Sequence, residues 1–208
     1  MIRSLMQGLR QSFRRSRYKT LCELMNVDQV KGFVLDLGGG SAGFFAAVYH
    51  KPDRIILLDV DFNQVRRAKE RYPALHFVVA DGERLPVASS SMGMTVCNSV
   101  IEHVDDPDAL AVEIRRVSQS YFLQTPNKAF PLETHSFVAI PFYHCIPWTW
   151  LRRLVCKMVG ADYEYVSGVR YLSEPRLKQL FPEAAIAYEK VLAWKKSFYV
   201  YRSATNSR

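Results

Sequence analysis

An α/β fold built on a doubly wound, seven-stranded sheet is what this sequence predicts, and three observations predict it. Short continuous apolar runs alternate with helical patterns from residue 33 onward. The first of those runs ends in an acid and a glycine triplet, Val34-Leu35-Asp36-Leu37-Gly38-Gly39-Gly40. The chain then closes on two strand-like runs separated by only a few residues. Alternating strands and helices give a parallel sheet covered by helices on both faces, whereas a short connection between strands forces an antiparallel pair.

The elements follow in order. Phe33–Leu37 is a continuous apolar run, as a parallel strand buried on both faces requires. Glycines after it let the backbone turn tightly and come close to a ligand. Phe44 to Tyr49 reads as an apolar helix whose opening amides would point at that ligand. Arg54–Val60 is the second strand and Phe62–Arg71 the helix after it, with Asp61 in the position of an N-cap. His76–Ala80, Met94–Asn98 and Tyr121–Gln124 are the third, fourth and fifth strands. Pro107–Val117 carries Leu110, Ile114 and Val117 at helical spacing. Ile186–Val191 and Ser197–Arg202, joined around Trp194-Lys195-Lys196, form the closing hairpin.

Length and composition bound the function. At 208 residues there is room for one α/β domain with a full core. No apolar stretch approaches the roughly 20 residues of a membrane span, and arginines break up every apolar run near the N-terminus, so a signal peptide is not expected. Cys22, Cys97, Cys145 and Cys156 are scattered without a CxxC, which fits reduced thiols in a cytoplasmic protein. The formal net charge of +8 raises the question of nucleic acid. Much of it is local: Arg3, Arg10, Arg14, Arg15, Arg17 and Lys19 precede any acid. With no RNA-binding motif elsewhere, nucleic acid is disfavoured as a partner.

Residues 1–30 read as a basic, amphipathic N-terminal helical extension, and 31–208 as the main domain with a substrate-side insertion at about 128–170. Ile2, Leu5, Met6, Leu9 and Phe13 share one helical face. That helix either packs on the domain, covering the ligand cleft, or makes peripheral contact with the inner face of a membrane.

Three motifs in order resemble the class I S-adenosylmethionine (SAM)-dependent methyltransferases, in particular the type 11 methyltransferase domain, over residues 33 to 127. They are Val34-Leu35-Asp36-Leu37-Gly38-Gly39-Gly40, then Leu57-Leu58-Asp59-Val60-Asp61, then Ala80-Asp81-Gly82-Glu83-Arg84-Leu85-Pro86 followed by Ser99-Val100-Ile101-Glu102-His103-Val104. The resemblance implies a Rossmann-like fold, SAM as cofactor and S-adenosylhomocysteine as product. Asp59 ends its strand where a carboxylate accepts two ribose hydroxyls, although dinucleotide dehydrogenases use an acid there too. Asp81 and Gly82 offer a carboxylate and a bare amide to an adenine edge. Asp36 is placed to order the glycine loop and receive the ammonium of the methionine moiety, or else to cap the next helix. By the resemblance, Gly38, Gly39 and Gly40 contact the amino-acid part, Val60 accompanies Asp59, and Asn98 and Ser99 line the cleft near the sulfonium. Glu83 and Arg84 read as solvated loop charges.

Two departures stand out. Ala42 replaces a third glycine, and Gly93 replaces an acid common before the fourth strand, which leaves open a drifted cofactor pocket.

Methyl transfer from a sulfonium needs in-line positioning and dehydration more than covalent help. His103 is either a general base for a hydroxyl nucleophile or a residue that shapes the cleft. His135, in the irregular aromatic stretch after the fifth strand, is the second candidate for an acceptor contact. Glu133, His135 and His144 match no metal motif, so no metal is expected. Pro147 opens a helix ending before Gly160, with Trp148, Leu151, Val155 and Met158 on one face. The expected activity is O-methylation of a small-molecule or lipid- or glycan-linked acceptor. The alternatives are a nucleic-acid methyltransferase and a non-catalytic module that docks on a membrane or a partner.

Overall fold

The computed structural model describes residues 15–42, 45–130 and 143–203. Five parallel strands, β1 (Val34–Leu37), β2 (Ile55–Asp59), β3 (His76–Val79), β4 (Met94–Asn98) and β5 (Tyr121–Pro126), continue into an antiparallel pair, β6 (Ala185–Val191) and β7 (Trp194–Arg202). The spatial order is β3-β2-β1-β4-β5-β7-β6. Strand order therefore reverses between β1 and β4, where open α/β sheets form their ligand crevice.

Side-chain alternation sorts the core into two layers. Val34, Ile55, Leu57, Val96, Phe122 and Tyr199 pack on one face against Leu21 and Met25 of α1, the helix over 15–25. Leu35, Leu37, Leu58, Cys97, Leu123 and Val200 pack on the other against Leu110, Ile114 and Val117 of the later helix α3. Helix α2 (Phe62–Arg71) is capped as its sequence requires: Asp61 accepts the N–H groups of Asn63 and Gln64. Asp106 caps α3 (Pro107–Val117) in the same way.

Helices α4 (Thr149–Val159) and α5 (Tyr163–Ser167) enclose a small satellite core of Tyr143, Cys156 and Val166. Helix α6 (Glu174–Leu180) buries Leu177 and Leu180 in the α3 layer. Among the described residues, no helix is long and apolar enough to cross a membrane.

The structure corrects four expectations. The apolar segment after the glycines is not a helix over its described part: Gly40–Ala42 is a 3-10 turn, and residues 45–48 form one turn closed by Val48 and Tyr49 N–H bonds to Phe45 O. Pro52, three residues on, begins a new turn and leaves no room for a longer helix. The closing hairpin turns at Leu192-Ala193 rather than around Trp194-Lys195-Lys196, because Trp194 pairs with Val191 and Leu192 takes a left-handed φ of 54°. On α4, Met158 is exposed rather than sharing the inner face with Leu151 and Val155. Glu83 is not simply solvated: its Oε1 accepts the N–H groups of Asp105 and Asp106 at 2.8 and 2.9 Å, stapling two cleft loops together.

Candidate active site

The carboxyl ends of β1, β2 and β4 bring most of the candidate residues to one edge and one face. Asp36, Asp59 and Asn98 follow Val34, Leu57 and Val96 at alternate positions, so all three lie on the α1 side of the sheet. Asp36 is almost fully buried. Its carboxylate sits beneath the glycine turn, with Oδ2 only 3.1 Å from where a Cβ on Gly39 would stand. It lies directly under the loop.

The glycine turn needs its glycines. Gly38 has φ +69°, and a Cβ there would collide with Val100 beyond β4. Gly40 has φ +56°, but a Cβ there would meet open space, with Asp59 Oδ2 at 3.9 Å as its neighbour. Thus Gly38 is fixed by packing against the switch-point partner, whereas Gly40 keeps a groove open beside a carboxylate.

Asp59 closes that groove. Its Oδ2 accepts the Gly40 N–H at 2.9 Å and its Oδ1 the Asp61 N–H at 3.0 Å. Each carboxylate oxygen has a second lone pair, so two further donors can be accepted. Val60, exposed beside it, offers apolar surface at the same rim.

The third-strand loop is rigid for local reasons. Asp81 Oδ1 accepts the Glu83 N–H at 2.9 Å. A Cβ on Gly82 would come within 3.0 Å of Leu110 Cδ1, so a bare residue lets α3 approach. Further along, Glu113 accepts the Leu85 N–H, and Arg116 clamps the carbonyls of Leu85 and Val87. The Arg116 hydrogen bond holds the Glu113 carboxyl below its usual range.

At the end of β4, Ser99 sits at φ 58°, a left-handed conformation that a non-glycine residue adopts at a cost of about 1–3 kcal/mol. Two bonds hold it: its N–H donates to Gln124 O at 2.9 Å and its hydroxyl to Gln124 Oε1 at 2.6 Å. Next to it, Asn98 Oδ1 accepts from Arg17 Nη1 at 3.3 Å. Arg17 belongs to α1, so a helix of the N-terminal extension reaches the tip of β4. Arg17, Glu189 and Lys196 form one ion cluster at this edge, a meeting that the sequence does not announce. Its one trace there is a Glu and a Lys inside two apolar strands.

His103 is half-buried and stacks on Tyr165 of α5, with ring centroids 5.0 Å apart and Tyr165 Oη 3.3 Å from Nε2. Burial lowers its pKa, so the neutral imidazole prevails at pH 7. Beneath it, buried Glu102 accepts the Thr125 hydroxyl at 3.0 Å, and its carbonyl accepts the Arg170 N–H. These bonds tie the residues after β4 to β5 and to the segment before α6. His135 and Glu133 lie outside the described residues, as does the expected amphipathic helix over 2–13. Among the described residues, no cluster of three His, Cys, Asp or Glu side chains is disposed to hold a metal.

Gly93, the position that lacks the common acid, is at the other end of β4. Its N–H donates to Phe33 O at 2.8 Å, and a Cβ would strike the carbonyl of Lys31. The glycine admits a crossing backbone strand, and the change is remote from the cleft.

The residues present fit SAM as a ligand. A groove without a Cβ at Gly40, a carboxylate with spare lone pairs at Asp59 and a buried carboxylate under the turn occupy one crevice.

Comparison with known proteins agrees. Residues 35–123 match a family described as a methyltransferase domain. A malonyl-[acyl-carrier protein] O-methyltransferase of Hamiltonella defensa is 31% identical over 96 residues, which are 46% of this chain and 37% of that protein. The chain therefore spans roughly a third of the length of the curated relatives it matches. A crystal structure of a Pyrococcus horikoshii OT3 protein shares the fold, with a TM-score of 0.59 at 17% identity, covering 90% of this chain and 89% of that one. The Haemonchus contortus phosphoethanolamine N-methyltransferase 2, solved with phosphomonomethylethanolamine and S-adenosylhomocysteine, has a TM-score of 0.53 at 15% identity and covers 76% of this chain and 35% of that one.

Proposed function

Because residues 35–123 match a methyltransferase-domain family, we propose that the chain is a class I SAM-dependent methyltransferase that methylates an oxygen of a small-molecule or lipid- or glycan-linked acceptor. The observation that carries this reading is the Gly40–Asp59 bond, which joins the glycine turn after β1 to the end of β2 and leaves a carboxylate with spare lone pairs for a ribose. SAM, when bound, supplies an electrophilic methyl on a sulfonium. The chain's own residues do the rest. Asp59 accepts the ribose hydroxyls, with Val60 against the base, and Asp81 with Gly82 takes the adenine edge. Gly38, Gly39 and Gly40 admit the amino-acid end, and Asp36 sets the electrostatics beneath it. Asn98 and Ser99, held by Arg17 and Gln124, form the wall next to the transferred group.

His103 is the proposed base. It is neutral, fixed by Tyr165, and follows directly from the strand that ends at Asn98. An oxygen acceptor is the choice that makes use of a base near neutral pH. The Hamiltonella relative is named a malonyl-[acyl-carrier protein] O-methyltransferase, which supports an oxygen acceptor. The non-catalytic reading rested on Gly93 and on the basic N-terminal helix: Gly93 packs at the far end of β4, and the helix over 2–13 lies outside the described residues.

The test is transfer of labelled methyl from SAM into fractionated acceptors: free carboxylic acids and alcohols, thioester-linked acids, lipids and RNA. Label entering a low-molecular-weight or lipid fraction, and released as methanol by mild alkali where an ester forms, supports the reading. Label entering only RNA, or a folded chain that binds SAM without turnover, contradicts it.

A further inference from the structure

Helix α4 has an outer face that nothing among the described residues covers. Trp150, Leu154 and Met158 recur every fourth residue and are 66%, 45% and 77% exposed. Trp148, just before the helix, is exposed as well. At 100° per residue, these three occupy one strip, and exposed Arg153 and Lys157 form a second strip beside it. The inward side is occupied by Cys156, against Tyr143, and by Arg152, whose Nε donates to Ile146 O. The helix contains three cations, Arg152, Arg153 and Lys157, and no acid. The next acids along the chain are Asp162, the N-cap of α5, and Glu164 in its first turn. Asp162 accepts the N–H of its own helix, and Glu164 lies 3.4 Å from Arg153 in a pair that is mostly exposed.

An ordinary solvated helix would show charge around its outer face, and a protein-facing one would bury its aromatic residues. Here tryptophan and methionine stand beside a cationic strip. That division matches the layering of an anionic bilayer surface, where indole rings sit at the headgroup level and lysine and arginine meet phosphate.

We propose that the outer face of α4 docks the protein on an anionic lipid surface. The apolar strip of Trp150, Leu154 and Met158 enters the interface, and Arg153 and Lys157 engage the headgroups. Charge complementarity selects the occupant, since α4 carries three cations and no acid and two of those cations adjoin the apolar strip. The placement has a consequence for the cleft. Helix α4 packs on α5, and Tyr165 of α5 stacks on His103. A bilayer held by α4 therefore lies on the acceptor side, where a lipid-linked molecule could enter without leaving the membrane.

The test uses the full chain and sedimentation with vesicles of phosphatidylcholine, with or without phosphatidylglycerol. The protein should pellet with the anionic vesicles and stay in solution with the neutral ones. Replacing Arg153 and Lys157 by Gln should weaken partitioning about 25-fold, at roughly five-fold per cation. Replacing Trp150 and Leu154 by Ser should weaken it at least about ten-fold. In a Trp194→Phe background, the remaining indole fluorescence should shift to the blue on anionic vesicles. All four substitutions are at exposed positions, and unchanged circular dichroism will show that the variants fold. Absence of pelleting, or equal pelleting by all variants, overturns the proposal. So does a wild-type dimer that the Ser variant dissolves, with no vesicle binding, because the face would then be covered by a second copy. SAM affinity should be the same in every variant, so a failure here leaves the methyltransferase reading intact, and the reverse also holds.

Discussion

Arg17 in α1 and Glu189 in β6 form an ion pair across almost the whole chain, with Nη2 3.3 Å from Oε2. The other carboxylate oxygen accepts from Lys196 Nζ at 3.1 Å, and the same guanidinium reaches Asn98 at the tip of β4. Two cations thus share one buried carboxylate, and α1 is fastened to the edge that holds the candidate site. Glu189→Ala leaves both cations without it and should cost about 3–5 kcal/mol. Arg17→Ala leaves Glu189 with Lys196 and should cost about 1.5–3 kcal/mol, the value of a charged hydrogen bond. Urea unfolding of the two variants measures the difference; equal and negligible losses would show that the cluster does not hold α1 in place.

Lys196 makes the cluster sensitive to alkali. Burial pushes its pKa down to about 8, with Glu189 opposing the shift. The unfolded chain keeps the ordinary value of about 10.4. As pH rises from about 8 toward 10, the folded chain sheds this proton before the unfolded one does, so the group's contribution to stability grows. Buried tyrosines such as Tyr199, with raised pKa values, act in the opposite sense at still higher pH. Comparison with Lys196→Met isolates the effect: the wild type should gain stability relative to the variant between pH 8 and 10. A constant difference across that range contradicts the assignment.

Restoring the acid that the family pattern favours at position 93 should harm the protein. Gly93→Asp, and equally Gly93→Ala, drives a Cβ into the Lys31 carbonyl. Overpacking of this kind costs about 1–3 kcal/mol or more. Thermal unfolding should show the loss, with SAM affinity retained at temperatures where the variant is folded. A stable Gly93→Asp protein would mean that the crossing strand moves easily.

His103 should set the acid limb of turnover. Burial places its pKa below the ordinary value of about 6.5, so kcat should be level through neutral pH and fall only below that point. His103→Gln should remove the limb and lower kcat by roughly 10²–10⁴-fold. Tyr165→Phe, which keeps the stacked ring but deletes the hydroxyl near Nε2, should move the limb and affect KM little. A level profile at reduced rate in Tyr165→Phe, with wild-type turnover in His103→Gln, assigns His103 to cleft shape alone.

The sheet was legible because its inner strands are buried and read as largely apolar runs, as in residues 55–58 of β2, and its helices carry explicit caps, as at Asp61 and Asp106. The hairpin turn was misplaced because Leu192 takes a left-handed conformation usually left to glycine or asparagine. Helix α6 went unread, although Ser173 caps it and Pro175 lies in its first turn. At the site, local motifs marked Asp36, the glycines and Asp59, since one strand end carries each. Arg17, Glu189 and Lys196 meet only after folding, and Gly93 is explained by a chain crossing that no local pattern contains.

Titration calorimetry with SAM reads occupancy of the Gly40–Asp59 groove. The wild-type chain should bind one equivalent, and Asp59→Ala should lose about 10–100-fold in affinity, as expected for deleting a charged hydrogen-bond acceptor, while unfolding at the same urea concentration to within the loss of its bonds to Gly40 and Asp61. No binding of SAM or S-adenosylhomocysteine by the folded wild type, or undiminished binding by Asp59→Ala, would mean that the Gly40–Asp59 groove is not a SAM site.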